Sequence, residues 1–233
     1  MKSLFITFFL FVFSFPLMAS EAVHFEKVDV DITDKASLQR GAKTFVNYCL
    51  SCHQAAYMRY NRMGKDLGLT DDQVAENLMF ASDKVGETMT IAMRPADAKK
   101  WFGVTPPDLS VIARSRGTDW LYSYFRHFHL DDSHPMGTNN LTFAGVGMPH
   151  VLWEQQGYLA KNEKTGELNV AQEGPLTKHE YNQYIHDLVN FLAYMGEPSK
   201  LQRMALAKWV LLYLALFLLI AYPLKKAFWR DIH

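Results

Sequence analysis

The stretch "NYCLSCH", Asn47 to His53, holds both cysteines of a 233-residue chain, and a histidine follows the second directly. Two cysteines separated by two residues suit four kinds of chemistry: a small disulfide, a redox dithiol, a metal knuckle or a cofactor attachment site. A disulfide here closes a very short loop and so constrains the unfolded chain little. A thioredoxin-like dithiol calls for a βαβ setting, and the flanking sequence is helical instead. A structural zinc ion needs four ligands, yet no second Cys or His pair stands at finger spacing. Cys-x-x-Cys-His reads best as covalent attachment of a c-type haem. Thiols at i and i+3 of one turn each add to a porphyrin vinyl group, and His53 supplies the proximal axial ligand.

Upstream, Lys2 precedes an uncharged run from Leu4 to Met18, and small residues at Ala19 and Ser20 lead into an acidic, polar segment. This is the layout of a secretory signal peptide over residues 1–20, since the run is too short for a bilayer span. At the other end "WVLLYLALFLLIAYPL", Trp209 to Leu224, is extended upstream by Met204 to Ala207 and interrupted by Lys208 alone. Its aromatic residues near both ends and the following Lys225, Lys226 and Arg230 predict a single membrane-spanning helix over 200–224 and a cytoplasmic tail over 225–233. The body between, 21–199, is then expected on the periplasmic face of a bacterial inner membrane.

Lys+Arg and Asp+Glu both number 24. Five of the bases (Lys2, Lys208, Lys225, Lys226, Arg230) but one acid (Asp231) lie at the apolar ends, so the exported body is mildly acidic. A body with no basic run gives no support for nucleic-acid binding.

Helical patterns dominate the body. "DKASLQRGAKTFVNYCL" puts Leu38, Ala42, Phe45 and Val46 on one face and runs straight into the cysteine pair. Capping boxes begin at Thr70 and Thr177, the second opening a helix whose apolar face holds Tyr184, Leu188, Phe191, Leu192 and Met195. Pro95 and Gly103 bracket one further helix, while Gly117 separates two others. Ser199 is placed to cap the membrane helix. Leu130 to Val151 reads as a long irregular segment of the kind that lines a ligand, and a small hairpin is expected to turn at Lys164 to Gly166. The fold class is therefore mainly α.

Residue type alone leaves the sixth iron ligand open. Met148 sits in "GVGMPHV", where Gly145, Gly147 and Pro149 give an irregular backbone suited to delivering a side chain; Met136 and His150 are the alternatives. His127, His129 and His134 form a loose cluster that reads as structural.

The motifs "CLSCH", "TPPDLSVIARSRG", "VGMPHVLW" and "DLVNFLAYMGEP" running into "RMALAKWVLLYLALFL" occur in that order and end in one anchor. In this the chain resembles the cytochrome c1 family, the haem-bearing subunits of ubiquinol–cytochrome c reductase. The resemblance implies a class I cytochrome c-like haem domain with insertions, Met148 as sixth ligand, Pro106 and Pro107 against the haem, and Arg94 near a propionate. It further implies one haem c held by two thioethers, electron transfer from a Rieske iron–sulfur protein to a soluble cytochrome c, cytochrome b as membrane partner, and a dimeric complex. No catalysis is expected of the isolated chain. The alternative is a free-standing, membrane-tethered cytochrome c shuttle, although such anchors are commonly N-terminal and flexibly linked. A haem peroxidase, which needs an open iron site, fits less well.

Overall fold

The computed structural model describes residues 25–231, so the signal peptide expected over 1–20 lies outside the described residues. The body is built on two helices that cross closely. α1 (Lys35–Thr44) is capped by Asp34, whose side chain accepts from the Ser37 amide at 3.0 Å. α8 (Lys178–Gly196) opens with the expected capping box of Thr177 and Glu180. The crossing is close because Gly41 has no side chain: a Cβ there would lie 2.1 Å from the Asp187 carbonyl oxygen and 2.6 Å from Phe191 Cβ.

Around this point the helices exchange buried polar groups. Asp187, 4 % exposed, accepts from Ser37 Oγ at 2.7 Å and from Arg40 at 2.6 and 3.0 Å. Burial alone would raise its carboxyl pKa. The bonds from Arg40 and Ser37 outweigh that and hold it below the usual carboxylate range. Asn190 donates to the Asp31 carbonyl at 2.8 Å and to Ser37 Oγ at 3.0 Å, tying the incoming chain to the same cluster. Below it Leu38, Ala42, Phe45, Leu188, Phe191 and Leu192 are buried, with the rings of Phe45 and Phe191 at 5.6 Å.

α1 continues through one π-helical turn, Phe45–Cys49, and ends at the cysteine motif. β1 (Ala55–Arg59) follows and pairs antiparallel with β2 (Thr88–Met89). Between them lie α2 (Tyr60–Leu67) and α3 (Asp71–Asn77), the latter opened by the predicted Thr70–Gln73 capping box. α4 (Pro95–Phe102) starts at its proline and stops at Gly103, whose φ of 76° few other residues adopt. α5 (Ile112–Arg116) and α6 (Thr118–Arg126) meet at Gly117 and pack against α8.

The class is mainly α with a small sheet that the periodicity did not reveal. β3 (Phe128–Leu130) pairs antiparallel with β4 (Thr138–Asn140) and parallel with β5 (Gly157–Lys161), which follows the short α7 (Trp153–Gln156). β5 pairs antiparallel with β6 (Leu168–Glu173) across the expected hairpin, giving the order β4-β3-β5-β6. The segment read as irregular from Leu130 thus contains β4. Three-residue strands give no alternation to detect, and asparagines are poor strand formers. Asn140 is held there by tertiary bonds, donating to the Tyr124 carbonyl at 2.8 Å and accepting from the Thr142 and Phe143 amides.

α9 (Lys200–Phe228) is, among the described residues, the one helix long and apolar enough to cross a membrane; its most apolar window has a mean hydropathy of 2.3 and none of it is buried. Ser199 takes the N-cap position but its side chain makes no cap bond. The first turn is braced instead by Glu197, which accepts from Arg203 Nε at 2.6 Å.

Gly41→Ala is expected to destabilise the body by ~1–3 kcal/mol or more, the usual cost of overpacking, because the clash falls on backbone that cannot swing aside. Gly86→Ala, where a Cβ meets nothing within 4 Å, is expected to stay within ~0.5 kcal/mol of the parent. Denaturant midpoints of both variants check this; equal midpoints would show that the helices part without cost.

Candidate functional site

The turn after α1 forms one wall of a cavity of about 260 Å³. The Cys49 carbonyl accepts from the amides of Cys52 at 3.0 Å and His53 at 2.8 Å, so the motif closes as a single turn. Cys49, Cys52 and His53 all face the cavity. The two thiols are free. Burial pushes the Cys49 thiol up to about 12, with Cys52 adding to the rise, so it stays protonated and is a poor redox nucleophile.

His53 Nδ1 lies 2.8 Å from the carbonyl oxygen of Pro107. A carbonyl only accepts, so Nδ1 carries the proton and Nε2 is left with its lone pair. Burial lowers the histidine pKa, against smaller opposing effects of the Pro107 carbonyl and Asp108, and the ring is held neutral. A neutral, oriented imidazole with a free nitrogen is the state in which histidine binds a metal.

The chain after Pro107 is clipped to the chain after His53. Leu109 N donates to the Gln54 carbonyl at 2.8 Å, Asp108 Oδ2 accepts from Ala56 N at 3.0 Å, and Ser110 Oγ accepts from Tyr57 N at 3.1 Å. The Pro-Pro-Asp-Leu-Ser motif therefore has a local purpose: it fixes the carbonyl that orients His53. Pro106 and Pro107 also line the cavity.

Another part of the lining comes from the loop after β4. Gly145 has a φ of 72°, and its amide donates to Asn139 Oδ1 at 2.9 Å. Gly147 lies against Val104, whose Cγ2 would be 2.6 Å from a Cβ there. Between these glycines and Pro149, Met148 lines the cavity, and the Tyr124 hydroxyl donates to its sulfur at 3.5 Å. Burial raises the pKa of that hydroxyl, which stays protonated. Met136 and His150 are not among the lining residues. His150, 5 % exposed, stacks on Phe128 with ring centroids 5.0 Å apart, and burial pushes its pKa down to about 4.

Arg94 is absent from the lining: its side chain is 79 % exposed and pairs with Asp97 at 2.6 Å. The arginine that lines the cavity is Arg116, whose guanidinium lies 5.1 Å from the Trp120 ring centroid and 5.8 Å from that of Phe143. The available signal was its position, four residues before Trp120 at the end of α5, the helix that follows the Pro-Pro-Asp-Leu-Ser segment. His127 pairs with Thr142 Oγ1 at 2.8 Å, and His129 Nδ1 lies 3.3 Å from the His127 carbonyl.

The remaining walls are apolar, contributed by Leu109, Ile112, Leu121, Phe125 and Val146 among others. Two thiols on one turn, an imidazole with Nε2 free, a thioether and apolar walls fit a covalently held haem, whose large apolar ring requires such a lining.

The model of the Cytochrome C1 family matches residues 25–232. Cytochrome c1 of Allochromatium vinosum is 44 % identical over 244 residues, covering 100 % of both chains. A protein of Nitrosomonas europaea named ammonia monooxygenase gamma subunit is 48 % identical over 215 residues and 92 % of both chains. Cytochrome c1 of Rhodospirillum rubrum is 25 % identical over 241 residues, covering 85 % of this chain and 83 % of that one. A solved chain titled "Hyperthermophilic respiratory Complex III" superposes with a TM-score of 0.40 at 17 % identity, covering 100 % of this chain and 98 % of that one, too loosely to add to the assignment. The family match over nearly the whole described chain agrees with the chemistry of the cavity: this chain belongs to the cytochrome c1 family, and with that family comes a haem c cofactor.

Proposed function

We propose that this chain is the electron-transfer subunit of a respiratory cytochrome bc1 complex, taking one electron from a Rieske iron–sulfur protein and passing it to a soluble cytochrome c. The observation that carries this is the convergence of Cys49, Cys52, His53 and Met148 on one apolar cavity. One haem c would be held there by thioethers to Cys49 and Cys52 and by His53 Nε2 and Met148 Sδ as iron donors, with Pro106 and Pro107 among the residues that line its cavity. When bound, the haem supplies a one-electron iron couple, which a thioether donor shifts toward the reduced form. Arg116 replaces Arg94 as the proposed partner of a propionate, because it is the arginine at the cavity.

The protein's own part is to hold these donors still and keep water from the iron. His53 is oriented by the Pro107 carbonyl and Met148 by its glycine-flanked loop, so little has to reorganise when charge arrives. The proposed organisation is a signal peptide at 1–20, a periplasmic haem domain at 21–199, a membrane helix at 200–224 packed on cytochrome b, and a cytoplasmic tail at 225–233, within a dimeric complex in a bacterial inner membrane. The short junction supports a fixed subunit over a tethered shuttle: α8 ends at Gly196, α9 begins at Lys200, and Glu197 accepts from Arg203 across it.

Purification of the full chain from membranes in mild detergent tests the assembly. A b-type haem spectrum and a Rieske electron-paramagnetic signal are expected to come with it. The chain emerging alone would favour the shuttle. Co-purification with an ammonia-oxidising assembly would favour the function named for the Nitrosomonas relative.

Mass spectrometry of the mature chain tests the attachment. The parent is expected to carry one haem, and Cys49→Ala or Cys52→Ala to leave at most one thioether. A parent with the mass of bare polypeptide contradicts covalent attachment.

A further inference from the structure

Trp120 and Tyr124 stand four residues apart on α6, a spacing that puts them on one side of the helix, and here they touch. Arg116, the last residue of α5, reaches the same stack from across the break at Gly117. The Arg116 guanidinium sits over Trp120, and the Trp120 and Tyr124 rings stack with centroids 4.9 Å apart at 10°. Phe125 and Phe128 meet the Tyr124 ring edge-on at 5.4 and 5.2 Å. At 8 % exposure, in contact with aromatic rings, Tyr124 has little freedom to swing. Its hydroxyl ends 3.5 Å from Met148 Sδ.

That contact matters for the electronics of the sulfur. A phenol O–H donates, whereas a thioether is a weak acceptor that carries two lone pairs. Occupying one pair with a hydrogen bond leaves the other for a metal and fixes which of them faces the cavity. Donation also withdraws electron density from sulfur and makes it a poorer donor, which disfavours the oxidised iron more than the reduced iron. Groups that hold a metal ligand in this way tune the metal through it.

We propose that Tyr124 is a positioning residue that sets the orientation and donor strength of the Met148 sulfur, and so raises the reduction potential of this site. The inference rests on the reading of Met148 as an axial ligand. The rival role is packing alone: Tyr124 is also one wall of a buried aromatic cluster. Tyr124→Phe separates the two, since it keeps the ring, the stack on Trp120 and almost all of the volume while removing the O–H.

The test uses the full chain carrying its haem in detergent, with two readouts: the near-infrared sulfur-to-iron band of the oxidised protein, and the midpoint potential by redox titration. Tyr124→Phe is expected to keep the haem and the band, with the band displaced and the potential lower than the parent's. Tyr124→Leu, which also loses the stack, is expected to lower the potential at least as far and to reduce thermal stability. A Tyr124→Phe protein whose band and potential match the parent, or whose potential rises, overturns the proposal whatever the leucine variant does. A parent without the band overturns the Met148 assignment itself, and this inference with it. A parent with the band but an unaltered phenylalanine variant sinks this inference alone.

Discussion

The missing side chain at Gly41 sets the geometry on which the rest of the body depends. With 2.1 Å between a Cβ there and the Asp187 carbonyl, no other residue permits this crossing of α1 and α8. The contact is sealed by a buried carboxylate, which in an apolar setting would be costly. Removing one partner of a buried pair typically costs ~3–5 kcal/mol, and the exposure of the Arg40 side chain, 55 %, moves this case toward the lower end. The cluster is thus better understood as fixing one register of the two helices than as a source of stability. α1 runs without interruption into the π-helical turn, so the register also sets where the two thiols stand.

From there the site is assembled by backbone hydrogen bonds. One turn closes on the Cys49 carbonyl, and the segment after Pro107 is laced to the segment after His53 at three points. The imidazole receives its tautomer from the Pro107 carbonyl. Elsewhere in the lining, Gly147 lets the loop come close to Val104, Gly145 turns it at a φ of 72°, and Met148 beside them faces the cavity. Donors held by the fold, and not by the metal, suit electron transfer, where rearrangement between oxidation states slows the reaction. Tyr124, packed on Trp120 beneath Arg116, extends the same rigidity to the thioether.

Much of this was legible in sequence because the signals are local. Capping boxes at Thr70 and Thr177, Pro95 and Gly103 at the ends of α4, and Gly117 between α5 and α6 each act within a turn or two, and each element begins and ends where they say. The cysteine motif was readable for the same reason, its residue types and spacing being tied to their chemistry, whereas Met148, which lines the same cavity, was singled out by its glycine-flanked loop and by the family resemblance and not by residue type. What escaped depends on contacts distant in the chain. β3 and β4 are three residues each and owe their place to Asn140 bonding Tyr124, which no period reports. Arg94 precedes a helix and pairs with its first turn, while Arg116 reaches the cavity by a spacing that becomes meaningful once Trp120 is seen to line it. Ser199 occupies the cap position without using its hydroxyl, because Glu197 and Arg203 brace that turn.

The central claim is that one iron is held between His53 and Met148, and the most direct measurement compares Met148→Leu with Met136→Leu in the full chain. The account predicts that the first keeps the mass of attached haem, loses the near-infrared sulfur-to-iron band and falls in potential by on the order of 0.2 V, well inside the ~0.8 V that axial ligands command. It predicts that the second matches the parent. A band that survives in the Met148 variant and vanishes in the Met136 variant would contradict it.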